Sequence, residues 1–275
     1  MNLSIIILTY KSKNLVRFAL KDLLASNLPE QTEVIVVDND SGDGIEDMIE
    51  EEYPQVRFIQ TGKNSGFAAG NNAGIKAAFG KYIIIMNPDI FVEDNSIEKL
   101  YNYIKEKEGE GVGLVAPKLC NPNGSLQHTC YKFHKWSTPL FRRTFLSKLP
   151  FGKKHLKKFL MDDWDHNSIR EVDWVQGSCF IMRKDLLEQI GCFDEKYFMY
   201  VEDMDLCRKI NLAGKKVIYY PESKVIHLHR RESNDGKWHQ VFTNKLTREH
   251  IKSWLKYMWK FRKGNLNELK KDIKM

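Results

Sequence analysis

The chain has 275 residues, 42% hydrophobic and 29% charged, with a formal net charge of +7. It can build a sizeable core in one large or two small domains, but no stretch approaches the ~18 apolar residues of a membrane-spanning helix. Its five cysteines are odd in number and form no Cys-x-x-Cys pair, which argues against a disulfide framework or a cysteine zinc module and for buried thiols in a reducing cytoplasm.

The start, Met1-Asn2-Leu3-Ser4, runs straight into a strand pattern without a charged n-region or cleavage site, so no secretion signal is expected. The apolar run 3–8 predicts a strand, and 14–26 carries Leu15, Phe18, Ala19 and Leu23 at helical spacing. Strands follow at 33–37, 56–60 and 82–86, with helices at 43–52 and 65–79 between them. Strands alternating with helices imply parallel pairing and right-handed crossovers, hence a nucleotide-binding α/β sheet. A helix at 97–108 and a strand at 112–117 precede the turn signal Asn121-Pro122-Asn123-Gly124. Residues 133–167 are basic and aromatic and give no clear assignment. Beyond them come a strand at 172–182 broken at Gly177, helices at 184–189 and 202–213, short strands at 216–220 and 224–227, and an amphipathic helical region from Leu246.

Acidic residues close several of these elements. Asp38 ends one apolar strand, Asp89 follows another within Asn87-Pro88-Asp89, and Glu202-Asp203 opens a helix after the aromatic run Tyr197-Phe198-Met199-Tyr200. Carboxylates at the carboxyl ends of buried strands converge on the crevice where open α/β sheets bind ligands. Each motif also has a plain structural reading. Asn87-Pro88-Asp89 is made of turn formers, or else supplies oxygen to Mg²⁺ or Mn²⁺. Gly66, Gly70 and Gly74 either let a helix pack closely on the sheet or open a helix N-terminus towards a nucleotide. Asp205 and Arg208 can pair on a solvated helix face, while the positive end of that helix favours ionised Asp203, the form a general base needs. His227 and His229 share one face of a strand end, as a surface pair or as metal ligands.

Taken in order, Ile6-Ile7-Leu8-Thr9-Tyr10, Val36-Val37-Asp38-Asn39-Asp40-Ser41, Asn64-Ser65-Gly66-Phe67-Ala68-Ala69-Gly70-Asn71-Asn72, Asn87-Pro88-Asp89, Gly177-Ser178-Cys179-Phe180, Gly191-Cys192-Phe193-Asp194 and Glu202-Asp203-Met204-Asp205-Leu206 resemble the family 2 glycosyltransferases of GT-A fold, particularly their rhamnosyltransferase-like branch. The resemblance implies an α/β GT-A domain at 1–233, with a nucleotide-binding half at 1–118, an acceptor-binding half at 119–233, and a basic helical extension at 234–275. Its implied activity is inverting, non-processive transfer of a sugar from a nucleoside-diphosphate donor (dTDP- or UDP-linked, with rhamnose favoured) to a glycan or lipid-linked acceptor. Thr9 and Asp38 would hold base and ribose, with Tyr10, Asn64, Gly70 and Asn87 also facing the donor. Asp89 matches the last acid of the metal-binding Asp-x-Asp, with Asn87 at its first position, and His227, rather than His229, would reach the metal or diphosphate. Asp203 matches the catalytic base, and Gly177, Glu202 and Asp194 would face the acceptor. The Gln-x-x-Arg-Trp motif of processive synthases is missing.

The basic charge is regional. Residues 131–161 carry nine Lys or Arg and no acid, and residues 245–275 carry ten against three acids. On a helix, Lys252, Lys256, Lys260 and Lys263 share one face, with Trp254, Tyr257, Met258 and Phe261 roughly opposite. That arrangement suits a helix lying on an anionic membrane surface or one packed on the domain with a solvated basic face. The first reading places the protein in the cytoplasm, peripheral on the inner face of the cell membrane. Two rival functions remain: a sugar nucleotidyltransferase, which would normally carry a Gly-rich basic loop after the first strand, and a non-enzymatic basic module. No nucleic-acid motif is present, so nucleic acid is not an expected partner.

Overall fold

A computed structural model describes residues 1–228 and 245–262, together with 265, 266, 268, 269 and 273. In chain order the elements are β1 (Leu3–Thr9), α1 (Lys13–Ala25), β2 (Thr32–Asp38), α2 (Ile45–Glu52), β3 (Arg57–Gln60), α3 (Gly66–Ala77), β4 (Tyr82–Met86), β5 (Ile90–Val92), α4 (Ser96–Glu106) and β6 (Val112–Cys120). There follow β7 (Cys130–Tyr131), α5 (Thr138–Arg143), α6 (Pro150–Leu160), β8 (Arg170–Val172), β9 (Trp174–Val175), β10 (Cys179–Arg183), α7 (Lys184–Gln189), α8 (Glu202–Leu212), β11 (Lys216–His227) and α9 (Lys245–Lys260).

Nine strands form the main sheet, in the order β3-β2-β1-β4-β10-β6-β11-β5, with β8 also on β11. Strands β1, β2, β3, β4, β6 and β11 run one way, and β10, β5 and β8 run against them. The sheet is therefore mostly parallel, as the alternating pattern predicted. The apolar runs are continuous because both faces are covered. Ile6, Ile35, Val37, Ile83 and Ile85 enter one core, while Ile5, Ile7, Val34, Val36 and Ile84 enter the other.

The glycines of α3 serve close packing. A Cβ at Gly70 would lie 2.4 Å from Leu8 Cδ1, and one at Gly74 would lie 2.5 Å from Ile6 Cγ2. Gly70 thus seats the helix closely on β1, the packing role its spacing also suggested. Gly66 combines a φ of +86° with a Cβ position 2.1 Å from the Phe198 carbonyl oxygen, so no larger residue fits.

The predicted broken strand at 172–182 resolves into β8, β9 and β10. The two short strands at 216–227 join as β11, with a register shift between Tyr220 and Lys224. The unassigned basic segment contains the helices α5 and α6. All five cysteines are free, and no helix among the described residues is long and apolar enough to cross a membrane.

Helix α9 packs on the domain. Tyr257, Met258 and Phe261 are buried in the core shared with α8 and β10. The apolar face expected at a membrane is therefore covered by protein, in the same core that holds Val201, Met204 and Cys207.

Candidate active site

The chain runs β1 to β2 to β3 towards one edge, then returns to place β4 on the other side of β1. Such a reversal, at the carboxyl ends of β1 and β4, is where open α/β sheets bind ligands. Thr9 and Asp38 lie there in register. Strand β10 runs the opposite way, so its amino end comes to the same edge, and the Asn87 amide donates to the Ser178 carbonyl at 2.8 Å. Topology alone thus gathers residues 9, 38, 87–89 and 177–178.

Asp203 joins this edge directly. Its Oδ2 accepts the Gly177 amide at 3.0 Å, and its Oδ1 accepts the Met204 amide at 2.7 Å. Burial pushes its carboxyl up, to about 6, against the downward pull of those two N–H groups. The helix end was expected to favour ionised Asp203, but burial outweighs it. Glu202 beside it is 6% exposed. Burial, and then the charge of Asp203, raise its carboxyl to about 8. Before this helix, Tyr200 and Val201 hold the left-handed φ values of +70° and +76°, a strained entry that fixes where the pair points.

Asp89 meets His227 beside the paired ends of β5 and β11, with Asp89 Oδ2 3.3 Å from His227 Nε2. Strand β5 pairs with the end of β11 and brings them together, and the Leu228 amide donates to the Asp89 carbonyl at 2.9 Å. His227 Nδ1 lies 2.6 Å from Gln127 Oε1. That oxygen only accepts, so Nδ1 carries a hydrogen, and Nε2 is the ring nitrogen that faces Asp89. Gln127 is oriented in turn by donating from Nε2 to Asn121 Oδ1 at 3.1 Å. A carboxylate and an imidazole nitrogen at this separation fit a divalent cation whose remaining ligands come from a diphosphate. Among the described residues no group of three or more His, Cys, Asp or Glu side chains could hold a metal without such help. Gln127 was missed in the sequence, where only the neighbouring Asn-Pro-Asn-Gly turn stood out.

The other expected site residues divide. Asp38 is fully buried, and both of its oxygens accept from Ser41, from the amide at 2.9 Å and from the hydroxyl. It orders the loop after β2, while Tyr10, 43% exposed, is open to solvent beside it. Thr9 Oγ1 is buried with no hydrogen-bond partner among the described residues. Asn64 Oδ1 accepts the Gly66 amide at 3.1 Å, and Asn39 bonds the Gly66 carbonyl at 2.9 Å. The Phe67 amide at the start of α3 donates to the Phe198 carbonyl at 2.8 Å, so protein takes a position expected to face a nucleotide.

Asp194 is drawn away from the expected acceptor site. Its Oδ2 lies 2.7 Å from Lys260 Nζ of α9, which also reaches Asp205 Oδ1 at 2.7 Å. Burial works to raise the Asp194 carboxyl, but Lys260 overcomes it and holds the group below its usual range. Asp205 therefore pairs with Lys260 and not with Arg208, whose guanidinium lies over Phe133 at 4.2 Å. His229 falls outside the described residues.

The glycosyl transferase family 2 model matches residues 4–191. Among curated proteins, the chain is 30% identical over 245 residues to the N-acetylglucosaminyl-diphospho-decaprenol L-rhamnosyltransferase of Mycobacterium tuberculosis, covering 82% of this chain and 75% of that protein. It is 26% identical to the rhamnosyltransferase WbbL of Escherichia coli, over 92% and 91% of the two chains. Among solved structures, GalNAc-T7 with UDP, GalNAc and Mn²⁺ superposes with a TM-score of 0.65 at 13% identity, over 94% of this chain and 48% of that one. The mannosyltransferase PcManGT of Pyrobaculum calidifontis, with GDP-Man and Mn²⁺, gives 0.61 at 17% identity over 99% and 69%. These neighbours share the GT-A fold.

Proposed function

Because the chain belongs to glycosyl transferase family 2, we propose that its nucleotide-sugar transfer is a single inverting displacement with Asp203 as base. The observation that carries this reading is the Gly177–Asp203 hydrogen bond, which fixes a carboxylate at the same sheet edge as Asp89 and His227. The acceptor hydroxyl oxygen bonds to the anomeric carbon as the bond from that carbon to the diphosphate breaks. Asp203 receives the hydroxyl proton, and the nucleoside diphosphate leaves with the bonding pair. One displacement inverts the anomeric configuration.

Asp89 and His227 would hold Mg²⁺ or Mn²⁺, which offsets charge on the leaving diphosphate when bound. Thr9, Tyr10, Asn64 and Asn87 line the donor side, with Asp38 shaping the loop beneath it. Gly177 and Glu202 frame the acceptor side. Residues 1–233 form the catalytic unit, and the extension from 234 supports it through α9.

The donor is a dTDP- or UDP-sugar and the acceptor a lipid-linked glycan; the mycobacterial relative, an N-acetylglucosaminyl-diphospho-decaprenol L-rhamnosyltransferase, supports the acceptor class. Such an acceptor puts the protein at the inner face of the cytoplasmic membrane. Thermal-shift screening of dTDP-rhamnose, UDP-sugars and GDP-sugars with Mn²⁺ tests this. Stabilisation by a dTDP- or UDP-sugar, and release of nucleoside diphosphate, are expected. Release of pyrophosphate would instead mark a nucleotidyltransferase.

A further inference from the structure

With the apolar face of α9 covered, another surface carries exposed aromatic rings among cations. Helices α5 and α6 form a short hairpin, and its turn presents Phe145 at 73% and Phe151 at 56% exposure. Exposed lysines 148, 153, 154, 157 and 158 surround them, with no acid between 131 and 161. Water around two open phenylalanines is unfavourable, and five positive charges without an ion-pair partner among the described residues oppose a self-association that would cover them.

The turn is built. A Cβ at Gly152 would fall 1.8 Å from the Leu146 carbonyl oxygen, so only glycine lets the turn close onto α6. Phe141 packs edge-on against Phe151 at 5.8 Å and tilts against His155 at 4.6 Å. His155 Nε2 bonds Thr138 Oγ1 at 3.0 Å, which ties the two helices together. Phe145 and Phe151 are thus held outward on a folded tip.

We infer that this α5–α6 turn is a membrane-docking tip, inserting Phe145 and Phe151 into the headgroup boundary of an anionic bilayer while its lysines meet lipid phosphates. Apolar rings ringed by lysine match the two-part chemistry of such an interface, in which acyl boundary and anionic headgroup are reached together. The hairpin also leads to the reaction centre. It leaves from β7, which pairs with β9, and the Gln176 amide after β9 donates to the Thr129 carbonyl at 2.7 Å. The next residue is Gly177, whose amide holds Asp203. The hairpin is thus joined through β7 and β9 to the segment that holds Asp203, and docking it on a lipid surface would keep the chain beside a lipid-linked acceptor, a consequence that rests on the proposed function.

The test is co-sedimentation of the full chain with phosphatidylglycerol–phosphatidylcholine vesicles and with phosphatidylcholine alone. Binding to the anionic vesicles that weakens with salt is expected. Phe145→Ser with Phe151→Ser should reduce it about tenfold or more, and Lys153→Glu with Lys154→Glu should abolish the preference for phosphatidylglycerol. Circular dichroism confirms that each variant is folded, and dTDP-sugar affinity should be unchanged. No vesicle binding at low salt, equal binding by the phenylalanine variant, or salt-sensitive binding to RNA in place of vesicles overturns the inference. Sugar transfer without vesicle binding defeats the docking tip alone, whereas vesicle binding without any nucleotide-sugar binding defeats the catalytic reading alone.

Discussion

Asp89 Oδ2 and His227 Nε2 face each other across 3.3 Å, a carboxylate oxygen and an imidazole nitrogen brought together by the pairing of β5 with β11. Only a cation or a proton makes that approach favourable. Asp89→Ala should therefore remove the Mn²⁺ response and weaken binding of the donor diphosphate. The expected loss exceeds the ~10–100-fold typical of changes to a ligand's outer partner. Calorimetric titration of Mn²⁺ in the presence of dTDP reads it, and an unchanged isotherm would contradict the assignment.

Gln127 acts on that pair through the tautomer of His227. Gln127→Leu removes the acceptor at Nδ1 and should lower Mn²⁺ affinity by about 10–100-fold. Gln127→Glu keeps an acceptor there and should retain most of it. Electron paramagnetic resonance of bound Mn²⁺ separates the outcomes without reference to turnover. Equal affinities in all three proteins would mean that Gln127 only packs.

The carboxyl of Asp203 sets the pH dependence. Burial raises it to about 6 against two N–H bonds. The base works in its ionised form, which is depleted as pH falls through that value. Activity should therefore be lost on acidification around pH 6 and reach a plateau above it. A pH–kcat profile whose acidic limb lies in the ordinary carboxylate range near 4 would show that burial does not govern the group.

Lys260 fastens α9 beneath the strained loop that precedes Asp203. Lys260→Met leaves Asp205, which is 0% exposed, without its closest cation. Breaking a buried pair costs about 3–5 kcal/mol, and the partial exposure of Lys260 places the expected loss near the lower end. Urea denaturation measures it, and Asp205→Asn added to Lys260→Met should recover part of the loss. An unchanged midpoint would mean that the ion pair contributes nothing to stability.

The strands, and the gathering of Asp38, Asp89 and Asp203 at one sheet edge, were legible because their signals are local. Continuous apolar runs end in Asp38 and Asp89, and a parallel sheet must bring those ends to one edge. Asp203 could be read from the aromatic run before it and the helix after it. Gln127 could not, since its partner His227 reaches it only through the pairing of β6 with β11. Asp194 and Gly70 have partners that were hidden for a related reason. Each sits in a motif shared with the crevice, but its partner is decided by packing: Lys260 of α9 for Asp194, and Leu8 of β1 for Gly70. The aromatic face of α9 looked suited to a membrane because a helix pattern shows which side is apolar and not what covers it. Residues 133–167 gave no period because two short helices are interrupted by a tight turn.

The most direct test of the central claim is sugar transfer by Asp203→Asn measured beside its donor affinity. The account predicts a fall in kcat of about 10²–10⁴-fold, the usual contribution of a positioned general base, with dTDP-sugar Kd unchanged. Near-normal turnover by this variant would remove Asp203 from the chemistry and contradict the mechanism.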